Sequence, residues 1–335
     1  MSEEEQEFPD DLEDDVRDIL DGNVKPHIES LGDSPEGLGR YGIDWNSNIP
    51  IWDPNSPTNG ILAHGDAYTD DGLFIIVSGH VGSGKTLATI NCCPAFAQFI
   101  DRVDLVSTTE IKTKAFTGNS NIVPRQYVTR EPNVSKEEND KRKKEKKPLK
   151  LDWLDRLALE RTGHMEEVGR NSEMRQKSKL VIMDDVAHCQ KLMVRKTDAM
   201  IGLITRRRQL RLYMMALVQS IGYLGKFMRE QADYVILARE SLASLIEALW
   251  MVYYKGKITL EGFRDMMDQI CITGRQVLVL NVRHGGTYRM PLKRDIRLEK
   301  PIGNRQMREW AEMRAKKEDD LWKHQGERKV IKGRS

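Results

Sequence analysis

Cysteine is scarce in this sequence, and long apolar runs are absent. The 335 residues include four cysteines, at positions 92, 93, 189 and 271. Their spacing pairs no metal ligands, so we expect a reduced intracellular compartment and no structural zinc. The longest apolar stretches, such as 249–254, are far shorter than the roughly 20 residues that a membrane-spanning helix needs. The N-terminus is acidic rather than basic and apolar, so we expect neither a signal peptide nor a membrane partner, but a soluble protein.

Charge is distributed unevenly along the chain. The formal net charge is only +2, yet acidic residues crowd positions 3–21, and basic residues crowd positions 141–147 and the part from 305 onward. This asymmetry permits a polyanionic partner without requiring one. We predict four regions: an acidic, largely disordered tail at 1–32, an extended arm at 33–72, a core at 73–292 with a charged surface insertion at 134–148, and a basic helical tail at 293–335.

Short apolar segments alternate with segments of helical spacing. We predict strands at 73–78, 103–107, 180–183, 212–218 and 234–238, a hairpin of 276–281 and 288–291, and helices at 86–100, 151–161, 241–254 and 260–270. This alternation is typical of parallel sheets. The sequence therefore predicts an α/β fold with a mostly parallel central sheet, helices on both faces, and helices plus a hairpin near the end of the core.

A glycine-rich loop follows the first predicted strand and precedes an apolar helix. It fits the pattern G-x-x-x-x-G-K-[ST] at every specified position with Gly79, His80, Val81, Gly82, Ser83, Gly84, Lys85 and Thr86. Glycines let successive backbone N–H groups turn toward phosphates, the lysine adds a charge at the β- and γ-phosphates, and the threonine hydroxyl suits Mg²⁺. The loop predicts a nucleotide site for ATP and Mg²⁺.

Two carboxylates follow the apolar strand at 180–183. Asp184 and Asp185 come at its carboxyl end, where ligands of open α/β sheets bind. We predict that Asp184 holds the Mg²⁺ shell and that Asp185 polarises the attacking water. A helix N-cap is the structural alternative, which applies mainly to Asp185.

Gln219 and a group of arginines complete the candidate site. Gln219 ends the strand at 212–218, where its amide either orients the lytic water or merely ends a buried strand. The arginines are Arg206, Arg207, Arg208, Arg211 and Arg229. An arginine that reaches a neighbour's γ-phosphate can accelerate hydrolysis by roughly 10³ to 10⁵, and Arg208 and Arg229 are our candidates for this role. A solvated basic face, or contact with nucleic-acid phosphates, is the alternative for each arginine.

The order of these elements resembles that of the genome-packaging ATPases of large DNA viruses, in the FtsK-HerA superfamily. The resemblance is carried by the apolar-Asp-Asp segment at 180–185, the arginine-rich segment at 206–211, Gln219, and the segments 224–229 and 232–237. It implies a RecA-like core with an additional strand between the two Walker strands, and a ring of subunits that hydrolyses ATP to move DNA.

The same resemblance implies partners and site residues. The residues that carry over directly are Lys85, Thr86, Asp184, Asp185 and Gln219. The role of the arginine finger, which reaches the γ-phosphate of a neighbouring subunit, is divided between the 206–211 cluster and Arg229. The implied partners are double-stranded DNA, further copies of the chain in a ring, and a viral capsid or portal component. The implied location is the host cytoplasm or the site of virion assembly.

Other classes of nucleotide enzyme fit the sequence less well. A GTPase needs D-x-x-G, yet no glycine stands three residues after either aspartate, and 195–198 mimics N-K-x-D without a preceding strand. The chain is too short for the second lobe of a two-lobed helicase. A nuclease domain would need clustered carboxylates after residue 240, where two helices and a hairpin are predicted instead. A small-molecule or nucleotide kinase and a regulatory ATPase stay open as alternatives.

Overall fold

The computed structural model describes residues 43–64, 72–97, 99–123, 127–130, 136–145, 152–170, 178–184, 198–240, 243–273, 275–296, 298 and 302–303. The predictions for the acidic tail at 1–32, for Asp185, and for nearly all of the basic tail at 293–335 lie outside these residues. In the described part of the chain, no helix is long and apolar enough to cross a membrane.

An eight-stranded sheet forms the centre of the fold. Its strands are β1 (Phe74–Ser78), β2 (Arg102–Ser107), β3 (Val128–Thr129), β4 (Lys179–Asp184), β5 (Leu212–Val218), β6 (Tyr234–Leu237), β7 (Gln276–Asn281) and β8 (Gly286–Pro291). They lie in the order β3-β2-β4-β5-β1-β6-β7-β8. The first six in this order are mutually parallel, whereas β7 and β8 form an antiparallel hairpin. The predicted mostly parallel sheet and its closing hairpin are therefore confirmed.

Both faces of the sheet are buried. Within β1, Phe74 and Ile76 belong to one hydrophobic cluster, while Ile75 and Val77 belong to another on the opposite face. All four side chains have 0% exposure. This explains why β1 is a continuous apolar run rather than an alternating one, since a strand covered on both faces has no solvent side.

Helices of the described residues pack on both faces of the sheet. They are α1 (Trp45–Asn48), α2 (Lys85–Phe96), α3 (Glu110–Lys114), α4 (Lys136–Lys144), α5 (Trp153–Arg170), α6 (Asp198–Thr205), α7 (Lys226–Glu230), α8 (Ala243–Tyr253) and α9 (Leu260–Met267). Buried residues of α5 to α9 pack on the face that holds Phe74. Buried residues of α2 pack on the face that holds Ile75. Helices on both faces are as predicted.

Some elements differ from the sequence prediction. The helix predicted at 151–161 extends to Arg170 in α5. The helix predicted at 260–270 changes to a π-helical turn, Asp268–Thr273, after α9. Strand β3 was not predicted, because its two residues give no apolar pattern. The charged insertion at 134–148 contains α4, in which Glu138 and Arg142 form an i,i+4 ion pair of 3.7 Å.

Residues 49–52 cover the free edge of β8. Ile51 forms a parallel bridge with Arg289, and the Trp52 amide donates to the Arg289 carbonyl at 2.8 Å. The Trp52 ring is 1% exposed and lies 5.3 Å from the Tyr234 ring. Burial raises the pKa of the Tyr234 phenol, which stays protonated and donates to the Asn59 carbonyl at 2.7 Å. An unprotected edge strand is thereby closed to pairing.

A buried ion pair anchors the amino end of β1. Asp233, just before β6, accepts from Arg207 Nε at 3.2 Å and from Arg207 Nη2 at 3.1 Å. The same carboxylate accepts from the Phe74 amide at 2.8 Å and lies 3.3 Å from Arg283 Nη2. Arg207 is 7% exposed, so this member of the predicted basic cluster holds the sheet together and is not a surface charge.

Candidate functional site

The glycine loop joins the carboxyl end of β1 to α2. Three of its glycines have positive φ angles, at Gly79, Gly82 and Gly84. Gly84 is the left-handed N-cap of α2, with φ 97°, a conformation that side chains with a Cβ rarely adopt. A Cβ at Gly79 would lie 2.9 Å from the Ala238 Cβ. The loop therefore needs glycine both for its turn and for its close approach to the chain after β6.

Lys85 is folded into the loop. Its ammonium group donates to the carbonyl oxygens of Gly79 and, at 2.7 Å, His80, and the residue is 8% exposed. The His80 ring in turn forms a 2.9 Å hydrogen bond through Nδ1 with the Arg239 carbonyl. The lysine thus lies at the centre of the predicted phosphate cradle, with its charge compensated by loop carbonyls.

The first turn of α2 directs backbone N–H groups at the loop. Thr86 is half-buried beside Lys85 in this turn. The N-terminus of a helix combines unpaired N–H donors with a positive dipole end, which suits an anionic ligand. Further along α2, burial raises the pKa values of Cys92 and Cys93. Their thiols are therefore protonated and contribute packing rather than chemistry.

Strand β5 lies between the glycine-loop strand and the aspartate strand. It pairs with β1 so that Val218 faces Ser78, and with β4 so that Leu217 faces Asp184. Adjacent strands lie roughly 5 Å apart, so Asp184 is about 10 Å from β1 across the sheet. This order matches the additional-strand arrangement implied by the resemblance.

Two predicted site residues and the glycine loop lie at the carboxyl ends of neighbouring strands. Asp184 ends β4, Gln219 follows β5, and the glycine loop follows β1, where the Gly79 amide donates to the Val218 carbonyl at 3.3 Å. Gln219 is half-buried and lies between the other two.

Ser107 is a site residue that the sequence analysis missed. It ends β2 directly opposite Asp184, has 0% exposure, and its hydroxyl lies 3.5 Å from Asp184 Oδ2. Parallel strands bring the polar residues at their carboxyl ends together. Applied to the predicted strand at 103–107, this rule would have identified Ser107 as a neighbour of Asp184.

The candidate finger arginines differ in their surroundings. Arg208 is exposed and lies in the turn between α6 and β5, at the amino end of the strands. Arg229 on α7 is 5% exposed. Burial raises the pKa of the Tyr253 phenol, and the charge of Arg229 opposes that rise. Arg211 is 8% exposed and has a φ of 45°. Of the two candidates, Arg208 is therefore the one that lies on the surface.

The residues present fit a magnesium ion. Thr86 offers a hydroxyl and Asp184 a carboxylate, and hard oxygen ligands of this kind are the ones that Mg²⁺ takes, usually together with phosphate oxygens and water. Thr86 lies in the first turn of α2, and Asp184 lies at the carboxyl end of β4. Asp185 lies outside the described residues, so its predicted role stays a prediction.

Fold and loop together define a RecA-like P-loop protein. No protein-family model matches the sequence, and no curated protein matches it. Among solved structures, the chain is similar to the genome packaging NTPase B204 from Sulfolobus turreted icosahedral virus 2, with 16% identity, 64% of this chain and 96% of that chain covered, and a TM-score of 0.42.

Two cellular ATPases show a comparable likeness. The cytoplasmic domain of the type VII secretion ATPase EccC from Thermomonospora curvata is 13% identical, with 73% of this chain and 28% of that chain covered and a TM-score of 0.44. ATPases 2 and 3 of EssC from Geobacillus thermodenitrificans are 9% identical, with 76% and 44% covered and a TM-score of 0.43.

Proposed function

We propose that this chain is a magnesium-dependent ATPase that uses hydrolysis to move double-stranded DNA, with viral genome packaging as its use. The observation that carries this proposal is the position of β5 between β1 and β4. Because of it, Gln219 lies between a phosphate-binding loop and a carboxylate. This constellation suits attack by water on a terminal phosphate.

Each group has a defined task in the proposed reaction. Backbone N–H groups of the loop and of the first turn of α2 bind the β-phosphate. On nucleotide binding, the Lys85 ammonium exchanges its carbonyl acceptors for phosphate oxygens. Thr86 and Asp184 would hold Mg²⁺, which would neutralise charge on the phosphates.

Activation of water falls to the residues beyond the loop. The Gln219 amide orients the attacking water by accepting from it, and Asp185 is proposed to take up its proton. Ser107 acts through Asp184, whose carboxylate it holds by a hydrogen bond.

The arginine contribution is proposed to come from a neighbouring subunit. Arg208 lies beyond the amino end of β5, whose seven residues span roughly 20 Å. At that distance from its own glycine loop it cannot act on its own nucleotide. Arg208 is exposed. In a ring where the amino ends of the strands of one subunit face the carboxyl ends of the strands of the next, it would reach the neighbour's phosphates.

Exposed basic groups support a polyanionic partner. The last turn of α4 carries three exposed lysines, Lys141, Lys143 and Lys144. Phosphate contacts by such side chains give affinity that is independent of base sequence and falls with salt. Such affinity suits a motor that must act on any stretch of duplex.

The primary test is ATP turnover measured with and without duplex DNA, together with the mass of the assembly. We expect stimulation by DNA and a mass of several subunits. The Lys85→Ala variant should lose turnover in both conditions. A strict monomer whose turnover ignores DNA would refute the motor, and phosphate transfer to a small acceptor rather than to water would identify a kinase instead.

A mixing experiment tests the arginine in trans. Subunits with Arg208→Ala are titrated into wild-type protein, and turnover is expected to fall more steeply than the wild-type fraction. The control is Arg156→Ala, which removes an exposed arginine on α5 and should leave turnover unchanged at every ratio. A decline in simple proportion to the wild-type fraction would argue against a shared site.

A further inference from the structure

The chain that leaves β8 lies against the glycine loop. Leu292 comes directly after Pro291, and its Cδ1 atom lies 3.1 Å from the position that a Cβ at Gly84 would occupy. Gly84 is the N-cap of α2. The Leu292 side chain therefore borders the helix start that the proposed function assigns to phosphate binding, and it is half-buried, so part of its surface faces outward.

Asn91 of α2 holds this segment in place. Its Nδ2 donates to the Lys293 carbonyl at 3.0 Å, and its Oδ1 accepts from the Lys293 amide at 3.0 Å. Nδ2 also donates to the Leu87 carbonyl at 2.8 Å, which fixes the amide on its own helix. Asn91 is 8% exposed. A buried side chain that pairs with both polar groups of one residue holds that backbone as a neighbouring strand would.

The segment is held further along as well. Ile296 and Leu298 pack against the core cluster on the α2 face, and Ile302 has 0% exposure. Leu292 is therefore part of a fixed wall across the first turns of α2.

The sheet order gives the direction in which a bound nucleotide extends. Gln219 and Asp184, which the proposed function places at the terminal phosphate, follow β5 and β4 on one side of β1, while β6, β7 and β8 lie on the other side. With the terminal phosphate toward β5, the sugar and base extend from the helix start toward β8. Leu292 follows β8 directly and lies beside the helix start on this side.

We propose that Leu292 is the contact surface for the nucleotide base and that Asn91 is the residue that positions it. The inference rests on the proposed function in so far as the glycine loop must bind a nucleoside triphosphate. An aliphatic side chain makes an apolar contact with the flat face of the base and forms no hydrogen bonds with it. It therefore distinguishes a ligand that carries a base from one that does not.

The test compares ATP with inorganic tripolyphosphate, which has the phosphates but neither sugar nor base. Binding of each ligand in the presence of Mg²⁺ is measured by calorimetry for the full-length chain and its variants. Leu292→Ala and Asn91→Ala are expected to bind ATP about tenfold more weakly, as loss of apolar contact in a pocket predicts. Both should bind tripolyphosphate as the wild type does, which also shows that their loops are folded.

Two controls sharpen the comparison. Leu159→Ala makes the same change at an exposed position of α5, on the opposite face of the sheet, and should alter neither ligand. Leu292→Met keeps an apolar contact and should retain ATP affinity. Equal loss of both ligands in Leu292→Ala, or unchanged ATP affinity, would overturn the base contact. A wild-type chain that binds neither ligand would instead refute the proposed nucleotide site, and the base contact with it.

Discussion

Replacing Asp233 with alanine removes the carboxylate that anchors the amino end of β1. The residue is 3% exposed and pairs with both Nε and Nη2 of Arg207. Removing one partner of a buried ion pair costs roughly 3–5 kcal/mol, because the other charge is left buried without compensation. The Phe74 amide also loses its acceptor, and since the two losses overlap, we expect a total of about 4 kcal/mol in unfolding free energy.

Further variants separate charge from hydrogen bonding. Asp233→Asn keeps an oxygen acceptor for the Phe74 amide but removes the charge, so about half of the loss is expected. In the double variant Arg207→Ala/Asp233→Ala no unpaired guanidinium remains at position 207. Its cost should therefore be smaller than the sum of the two single losses.

Equilibrium unfolding in urea, followed by far-ultraviolet circular dichroism, measures these differences. Glu230→Ala is the control, since it removes an exposed acidic residue three positions earlier and should change stability by less than about 0.5 kcal/mol. A loss below about 1 kcal/mol in Asp233→Ala, or strict additivity in the double variant, would contradict the buried pair as described. Nucleotide binding below the unfolding transition should persist, because Asp233 lies at the amino ends of the strands, whereas the glycine loop lies at their carboxyl ends.

Four further changes probe the site and its support. Gly79→Ala should reduce tripolyphosphate binding in calorimetry and cost roughly 1–3 kcal/mol on unfolding, since its Cβ meets Ala238 at a positive φ angle; unchanged binding would count against the loop geometry. Gln219→Ala should lower turnover without changing ATP affinity, and a parallel loss of affinity would point to a structural role. Ser107→Ala should lower turnover by about tenfold and shift the Mg²⁺ titration to higher concentration, because Asp184 loses a supporting hydrogen bond; a shift in neither would remove Ser107 from the site. Trp52→Ala should cost roughly 3–5 kcal/mol on urea unfolding, and a small loss would mean that the segment contributes little to the core.

Strand positions were predictable because a buried parallel strand is a local feature of the sequence. The apolar segments at 73–78 and 212–218 have no polar residue until their carboxyl ends, and the structure gives β1 and β5 almost the same bounds. A strand covered on both faces must be apolar throughout, so its pattern survives without knowledge of its neighbours. Strand β3 has two residues at the sheet edge, and nothing local distinguishes it from a loop.

The arginines illustrate what local patterns cannot resolve. The segment at 206–211 looks uniformly basic in sequence, yet Arg207 is buried against Asp233 while Arg208 is exposed. The difference arises from the position of Asp233, which is 26 residues away along the chain. A charged side chain is buried only where a partner compensates it. Partner and charge come together through the pairing of β1 with both β5 and β6, which the sequence of the cluster does not contain.

The same reasoning explains why the residues at the carboxyl ends of the strands were predictable, whereas the contact between Asn91 and the segment after β8 was not. Asp184, Gln219 and the glycine loop each follow a strand, and parallel strands must bring their carboxyl ends to one edge, so each prediction needed only its own segment. Asn91 and Lys293 are separated by 202 residues, and neither has a local signal: one is a polar residue on a helix, the other follows a hairpin. Their contact exists only because β7 and β8 reverse direction and return the chain to α2. The phosphate side of the site is thus built from local patterns, whereas the proposed base side is built from tertiary contact.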